Sequence, residues 1–366
     1  MSLPLELNPA LATLPVYQPG RPVEEVAREL GLAPASIIKL ASNENPLGPS
    51  PRAVAAMQAV LPALHLYPDG NAFVLKQRLA AKLGITPAHF VLGNGSNEII
   101  EFVGHALVRP GAEVVVSQYC FAIYPLITQM QGGRVVTVPA RGLGADIPAM
   151  LRAVTPATRV LFLANPNNPT GTLTPREAVL ELVEKIPPHV LLVLDEAYLE
   201  FLDDPVDLLP RLRAGTMPNL LLMRTFSKIY GLAGLRLGYG LGHPDFIAAL
   251  EKVRQPFNIN ALVQAGALAA LDDDEHLRRT VENNRRGLAF LTDAVAGLGL
   301  EAVPSHANFL LVRVGDGQRV FLELQRRGVI TRPMGGYGLP EYVRISVGTP
   351  AENERCVTAL REAVAG

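Results

Sequence analysis

Five short runs of apolar, strand-forming residues, each closed by turn-formers and separated by helical patterns, limit what this chain can fold into. They lie at 112–117, 134–138, 159–164, 190–194 and 220–225. Helix-period patterns fall between and after them, at about 121–131, 146–153, 174–185 and 243–252. A strand that is apolar at consecutive positions is buried on both faces, which calls for a parallel or mostly parallel sheet between layers of helices. Ligands of such sheets bind beyond the carboxyl ends of the strands, so the residues that follow each run are the first candidates for a site.

The flanking regions read differently. Residues 1–50 are rich in Pro, with a helical pattern only near 23–30, and are expected to form an arm and part of a small domain. Helical patterns at 51–61 and 71–83 lead to a glycine-rich turn at 92–98 that opens a helix ending near 107. A loop at 255–260 precedes a long helical region, 261–298, and then a strand at 307–314, a helix at 317–327, a strand at 342–347 and a helix at 351–364. The expected division is an arm (1–50), a large α/β domain (51–260) and a smaller α+β domain (261–366).

Composition narrows the function. Lys and Arg number 33 against 34 Asp and Glu, a near balance that argues against a protein held to nucleic acid by a basic surface. Two cysteines, Cys120 and Cys356, are too few for a disulfide framework or a Cys-based zinc site, and no metal is expected. No apolar stretch approaches the ~20 residues of a membrane helix, and the first residues lack a signal-peptide pattern. The expectation is a soluble cytoplasmic protein that handles small molecules.

Four polar motifs stand at or just beyond strand ends: Gly93-Asn94-Gly95-Ser96-Asn97-Glu98, Asn165-Pro166-Asn167-Asn168-Pro169-Thr170-Gly171, Asp195-Glu196-Ala197-Tyr198, and Thr225-Phe226-Ser227-Lys228 with Gly231-Leu232-Ala233-Gly234-Leu235-Arg236. Singly, each could be an ordinary turn or helix cap. Together they form an inventory. A lysine among apolar groups and near another cation can lose its proton and attack a carbonyl. A glycine-rich turn into a helix suits a phosphate, with Ser and Arg to assist. A strand-end carboxylate can pair with a pyridinium nitrogen, while Tyr and Asn hold a phenolic oxygen. That set suits pyridoxal 5′-phosphate, and matches neither a Walker A loop nor a GxGxxG turn.

With these motifs in this order, from Tyr17 to about Thr349, the chain resembles the fold-type I pyridoxal-phosphate-dependent aminotransferases, and among these the class II histidinol-phosphate aminotransferases most closely. The resemblance implies a mostly parallel seven-stranded sheet in the large domain, a smaller α+β domain, and a homodimer. It implies that Lys228 forms the Schiff base with the cofactor and acts as general base. Asp195 would bind the ring nitrogen; Tyr198 and Asn168, the 3′-oxygen; Ser227, Arg236 and the backbone of Ser96 and Asn97, the phosphate. Tyr67 would reach the phosphate from the neighbouring subunit. Phe121 would stack on the ring, with Tyr119 as the alternative.

Three further segments bear on the substrate. Tyr17, in Tyr17-Gln18-Pro19-Gly20, resembles the arm that closes over it, and Asn45 lies in the matching segment Ser42-Asn43-Glu44-Asn45-Pro46-Leu47-Gly48. Arg332 and Arg344 match two substrate-binding arginines, whose planar forks suit carboxylate or phosphate. The implied reaction interconverts histidinol phosphate plus 2-oxoglutarate and imidazole acetol phosphate plus glutamate, in histidine biosynthesis. Rival readings are an aromatic amino-acid aminotransferase, a threonine-phosphate decarboxylase, and a non-catalytic pyridoxal-phosphate-binding regulator. The regulator would normally carry a DNA-binding domain, for which residues 1–50 are too short and too poor in basic residues.

The chain has six lysines, at 39, 76, 82, 185, 228 and 252. Borohydride reduction of the yellow protein should fix pyridoxyl on Lys228, and peptide mapping that finds the label on another lysine would refute the assignment.

Overall fold

Strands buried on both faces organise the larger part of the molecule. A computed structural model describes residues 5, 7–12, 14–16 and 20–365. Seven strands form one sheet in the order Phe90–Asn94, Leu237–Gly242, Leu220–Thr225, Leu191–Asp195, Thr158–Ala164, Glu113–Ser117, Arg134–Val138. Leu237–Gly242 is antiparallel to both of its neighbours, and the other pairings are parallel. Alternate residues of each strand feed two separate cores: Leu192, Leu194 and Leu222 pack on one face, Leu191, Val193 and Leu221 on the other. Each such side chain, fully buried, contributes roughly 1.5–3 kcal/mol of transfer free energy. The five expected strands all form, within a residue or so of the expected limits.

Two strands of the sheet were not anticipated. Leu237–Gly242 has the sequence LGYGLG, and its three glycines read as a poor strand. The structure gives the reason for two of them. A Cβ on Gly238 would overlap the backbone of Gly95 and Ser96, and one on Gly240 would lie 3.1 Å from Leu221 and from Val91. Phe90–Asn94 was hidden because its Gly93-Asn94 end merges with the turn that follows.

The long helical region resolves into Ala261–Leu271 and Asp274–Gly297. The break falls at Asp273, whose carboxylate caps the second helix by accepting from His276 N at 3.1 Å. The first helix buries Val263, Ala267 and Leu271 in the core beneath the large sheet, against the helix Pro51–Val60. A four-stranded antiparallel sheet, ordered Arg332–Pro333, Tyr342–Ser346, Phe309–Arg313, Glu301–Val303, has its own core of Leu310, Val312, Val343, Ile345 and Leu360. Residues Ile38–Lys39 pair in parallel with Val329–Ile330, so a segment near the start of the chain is joined to this C-terminal part.

Parallel strands bring their carboxyl ends to one edge. Ser117, Ala164, Asp195 and Thr225 end there, and the functional motifs follow immediately. The turn after Lys228 is held against the segment 48–49 by Gly231, at φ 68°, where a Cβ would overlap the Gly48 carbonyl. Gly231→Ala should cost at least ~1–3 kcal/mol from backbone strain, read as a lower denaturation midpoint in urea; unchanged stability would contradict this packing.

Candidate functional site

One pocket collects residues from both sheets and from the segment 41–44. Its walls include Ser96, Asn97, Phe121, Asn168, Asp195, Tyr198, Ser227, Lys228, Arg236, Arg332 and Arg344. Eleven of the fourteen residues singled out in the sequence therefore meet in one place. Of the remaining three, the two that are described, Asn45 and Tyr67, do not line it. Asn45 is turned away: its amide donates to Ile229 O at 3.0 Å and Thr280 Oγ1 at 3.1 Å, and its Oδ1 accepts from Leu47 N. Tyr67 is 82% exposed and stacks on Phe257 at 4.7 Å. Tyr17 lies outside the described residues.

The anion cradle is built by local backbone. Gly95, at φ 80°, precedes the helix Ser96–Leu107, and the first-turn N–H groups of Ser96 and Asn97 have no intrahelical acceptor. A Cβ at Gly95 would occupy the space of the Arg236 guanidinium. Arg236 itself adopts φ 59°, a left-handed conformation unusual for a residue with a long side chain, and its Nη1 donates to Ala233 O at 3.1 Å and lies 3.5 Å from Ser227 Oγ. Three hydroxyl- or amide-bearing residues, Ser96, Asn97 and Ser227, a helix N-terminus and a guanidinium thus converge, the donor set a phosphate ester needs.

Beside this cradle sits the lysine. The Lys228 amine donates to Ser42 O at 3.2 Å and lies 5.9 Å from the Tyr198 ring centre. Burial pushes it down to about 8, with the positive charge of Arg344 adding to the effect. Asp195, 6% exposed, ends the neighbouring strand. Burial raises its pKa, opposed by the Tyr124 hydroxyl, which donates to Oδ2 at 2.6 Å, and by Ala197 N–H at 3.1 Å to Oδ1. Tyr198 is pushed up to about 12 by burial and so keeps its proton. Its oxygen accepts from Asn43 Nδ2 at 2.8 Å, which leaves the hydroxyl hydrogen to donate elsewhere.

The second cationic group comes from the C-terminal part. Arg344 interrupts an apolar strand, 6% exposed, and is held there by donating to Asn168 Oδ1 at 2.7 Å and Ala41 O at 3.0 Å, with its guanidinium 5.0 Å from the Phe309 ring centre. Arg332 is its partner in register on the adjacent strand, so both arginines reach one pocket wall. The loop bearing Asn168 is fixed by Asn167, which donates to Tyr119 O and Thr170 Oγ1, both at 2.8 Å, and by Asn165, which accepts from Thr174 N.

Phe121 lines the pocket, while Tyr119 packs with Met334 and Leu339 in a small separate cluster. Sequence reading missed Tyr124, Asn43 and Tyr337. Tyr124 stands in the first turn of the helix Ile123–Met130, two residues after the loop that carries Phe121, and no helical periodicity relates the two. Asn43 sits at φ 54° in an irregular segment, and no periodicity could orient it.

These residues fit pyridoxal 5′-phosphate: a cradle of phosphate donors, a lysine of lowered pKa, and a buried carboxylate for the ring nitrogen. Below pH about 8 the Lys228 amine holds its proton and is inert; above it the amine is neutral and nucleophilic. In cofactor-free protein, competitive labelling with acetic anhydride should therefore rise at Lys228 through pH about 8. Arg344→Ala removes a positive neighbour and should move that midpoint upward. A midpoint at the ordinary lysine value of 10.5 would contradict the geometry.

Known proteins share this architecture. Residues 35–360 match the sequence profile of the family described as aminotransferase class I and II. The chain is 54% identical over 355 residues to histidinol-phosphate aminotransferase 2 of Ralstonia nicotianae, covering 95% of this chain and 94% of that one. It is 49% identical over 363 residues to the histidinol-phosphate aminotransferase of Akkermansia muciniphila, covering 99% of each. Among solved structures, histidinol-phosphate aminotransferase from Sinorhizobium meliloti in complex with pyridoxal-5′-phosphate superposes with a TM-score of 0.90 at 31% identity, over 98% of this chain and 97% of that one. With profile, sequence and fold agreeing over nearly its whole length, the chain belongs to the class I and II aminotransferases.

Proposed function

We propose that this chain is a pyridoxal-phosphate-dependent aminotransferase of histidine biosynthesis, interconverting histidinol phosphate plus 2-oxoglutarate and imidazole acetol phosphate plus glutamate. The observation that carries this reading is a lysine of lowered pKa in a pocket with two cationic groups, one on each sheet: the cradle with Arg236, and the pair Arg332 and Arg344. One anion site serves the cofactor, and the other serves a substrate that bears phosphate or carboxylate. The near-full-length relatives named above support the choice of substrate.

When bound, the cofactor supplies an aldehyde that receives the amino group and a ring that delocalises the electron pair left at the substrate's Cα. The protein does the rest. Asp195 holds a negative charge against the ring nitrogen and so keeps its proton in place. Tyr198 donates its hydroxyl hydrogen to the 3′-oxygen, and Asn168, whose Oδ1 is occupied by Arg344, turns its NH₂ to the same purpose. Ser96, Asn97, Ser227 and Arg236 grip the phosphate. Phe121 covers the ring face. Lys228, neutral above pH about 8, takes the proton from the substrate's Cα and delivers it to the carbon that carried the aldehyde. Arg344, with Arg332, holds the glutamate carboxylate in one half-reaction and the phosphate in the other.

The active unit is a homodimer in this reading. Leu61, Leu64, Leu66, Tyr67, Phe73 and Val74 are each between 48% and 82% exposed, a cluster of apolar side chains that a second copy would cover. Tyr67 then enters the partner's phosphate cradle. We assign the chain to an arm with part of a small domain (1–50), a large cofactor domain (51–260) and a small domain (261–366), the helix Ala261–Leu271 remaining packed on the large core. Among the described residues no helix is long and apolar enough to cross a membrane, and both cysteines are free; we place the enzyme in the cytoplasm.

Losing a charge-assisted bidentate contact in a partly desolvated pocket costs about 2–5 kcal/mol, roughly 30- to several-thousand-fold in kcat/KM. Arg344→Ala should lower kcat/KM for both histidinol phosphate and glutamate by such factors. Wild-type enzyme that uses phenylalanine as well as histidinol phosphate would replace this reading with that of an aromatic aminotransferase.

A further inference from the structure

The buried hydroxyl of Tyr124 is not used by any step derived above, yet it makes a short contact inside the site. Tyr124 is fully buried, and its ring lies parallel to Phe162 at 4.4 Å and edge-on to Phe121 at 5.7 Å. Its backbone carbonyl accepts from Thr128 Oγ1 at 2.7 Å, which fixes the turn that carries it. Three neighbours thus fix the ring where its hydroxyl meets Asp195 Oδ2 at 2.6 Å.

We propose that Tyr124 is a positioning residue that keeps Asp195 ionised and aimed at the cofactor's ring nitrogen. This rests on the assignment of Asp195 to that nitrogen. A carboxylate out of water takes up a proton unless donors hold the charged form. Asp195 has two donors, the Tyr124 hydroxyl on Oδ2 and Ala197 N–H on Oδ1. The phenol is the donor of the pair, since burial and the adjacent carboxylate both hold its proton on oxygen. With Oδ2 held from one side and Oδ1 from the other, the carboxylate is kept from rotating, and both donors favour its charged form against the effect of burial. The same ring edge supports Phe121, so one side chain fixes both the wall over the cofactor's face and the anion beneath its nitrogen.

Tyr124→Phe tests this, because it retains both ring contacts and removes the hydroxyl alone. Full-length wild type and variant, stripped of cofactor, are measured by equilibrium dialysis against pyridoxal 5′-phosphate and against its analogue with C–H in place of the ring nitrogen. Wild type should bind the natural cofactor more tightly than the analogue. In Tyr124→Phe the dissociation constant for the natural cofactor should rise roughly ten- to a hundred-fold, the loss of one hydrogen bond to a charge, while that for the analogue stays unchanged. Equal weakening for both ligands would show a packing role and overturn the proposal, as would undiminished binding of the natural cofactor. Wild type that binds the two ligands equally would instead remove the assignment of Asp195 to the ring nitrogen, an outcome the variant does not enter.

Discussion

Two ionisable groups on neighbouring strand ends, Asp195 and Lys228, must settle opposite charge states in a space from which most water is excluded. Burial alone would neutralise both, because it penalises any charge. Their surroundings break the tie. The carboxylate receives donors from Tyr124 and Ala197, whereas the amine donates to the Ser42 carbonyl and feels burial and Arg344 more strongly than the opposing carboxylates of Glu44 and Asp195. One is held charged and the other is readied to lose its proton. Cations placed so close to a lysine must themselves be held, and the fold provides for this: Arg344 is tied to Asn168 and Ala41 and sits over Phe309, and Arg236 is fitted where Gly95 leaves room.

That requirement also accounts for the use of two sheets. The parallel sheet places its strand ends along one edge and can therefore gather Phe121, Asn168, Asp195 and Lys228 from four loops. Its own loops bring Lys228 and Arg236, and the opposite wall is left to another element. The antiparallel sheet supplies it through register, setting Arg332 beside Arg344 on adjacent strands. The segment at Ala41 to Glu44 lies between the two and contributes backbone to both.

How much of this could be read from the sequence follows from how each feature is encoded. Strands buried on both faces announce themselves as continuous apolar runs, so four of the parallel ones were legible, and Arg134–Val138, a partly exposed edge strand, was legible from its β-branched residues. Leu237–Gly242 was not, because Gly238 answers to a helix terminus packed against it and Gly240 to side chains of neighbouring strands, contacts invisible in one dimension. Lys228, Asp195 and Arg236 could be expected in one place because the motifs that carry them follow strands of a parallel sheet, whose carboxyl ends share one edge. Asn45 and Asn43 could not be told apart: they lie two positions apart in an irregular segment with a left-handed turn at Asn43, and one lines the pocket while the other bonds Ile229 and Thr280. The hydrogen bond from Tyr124 to Asp195 depends on the angle at which a helix crosses the sheet, which no local pattern specifies.

The pairing of Ile38–Lys39 with Val329–Ile330 has a consequence for the order in which the molecule is made. Ribosomal synthesis delivers residues 38–45 early, but the groups that seat them come last: Asn43 N, for example, bonds Ser346 Oγ, 303 positions further on. The large sheet, whose strands all lie between residues 90 and 242, is complete long before that closure. A nascent chain therefore has Lys228 and Arg236 in place first and acquires Arg332, Arg344 and the seating of the 41–44 wall at the very end. A chain terminated before Arg332 lacks both arginines and the contacts that hold that wall, so incomplete translation products would carry only one side of the pocket.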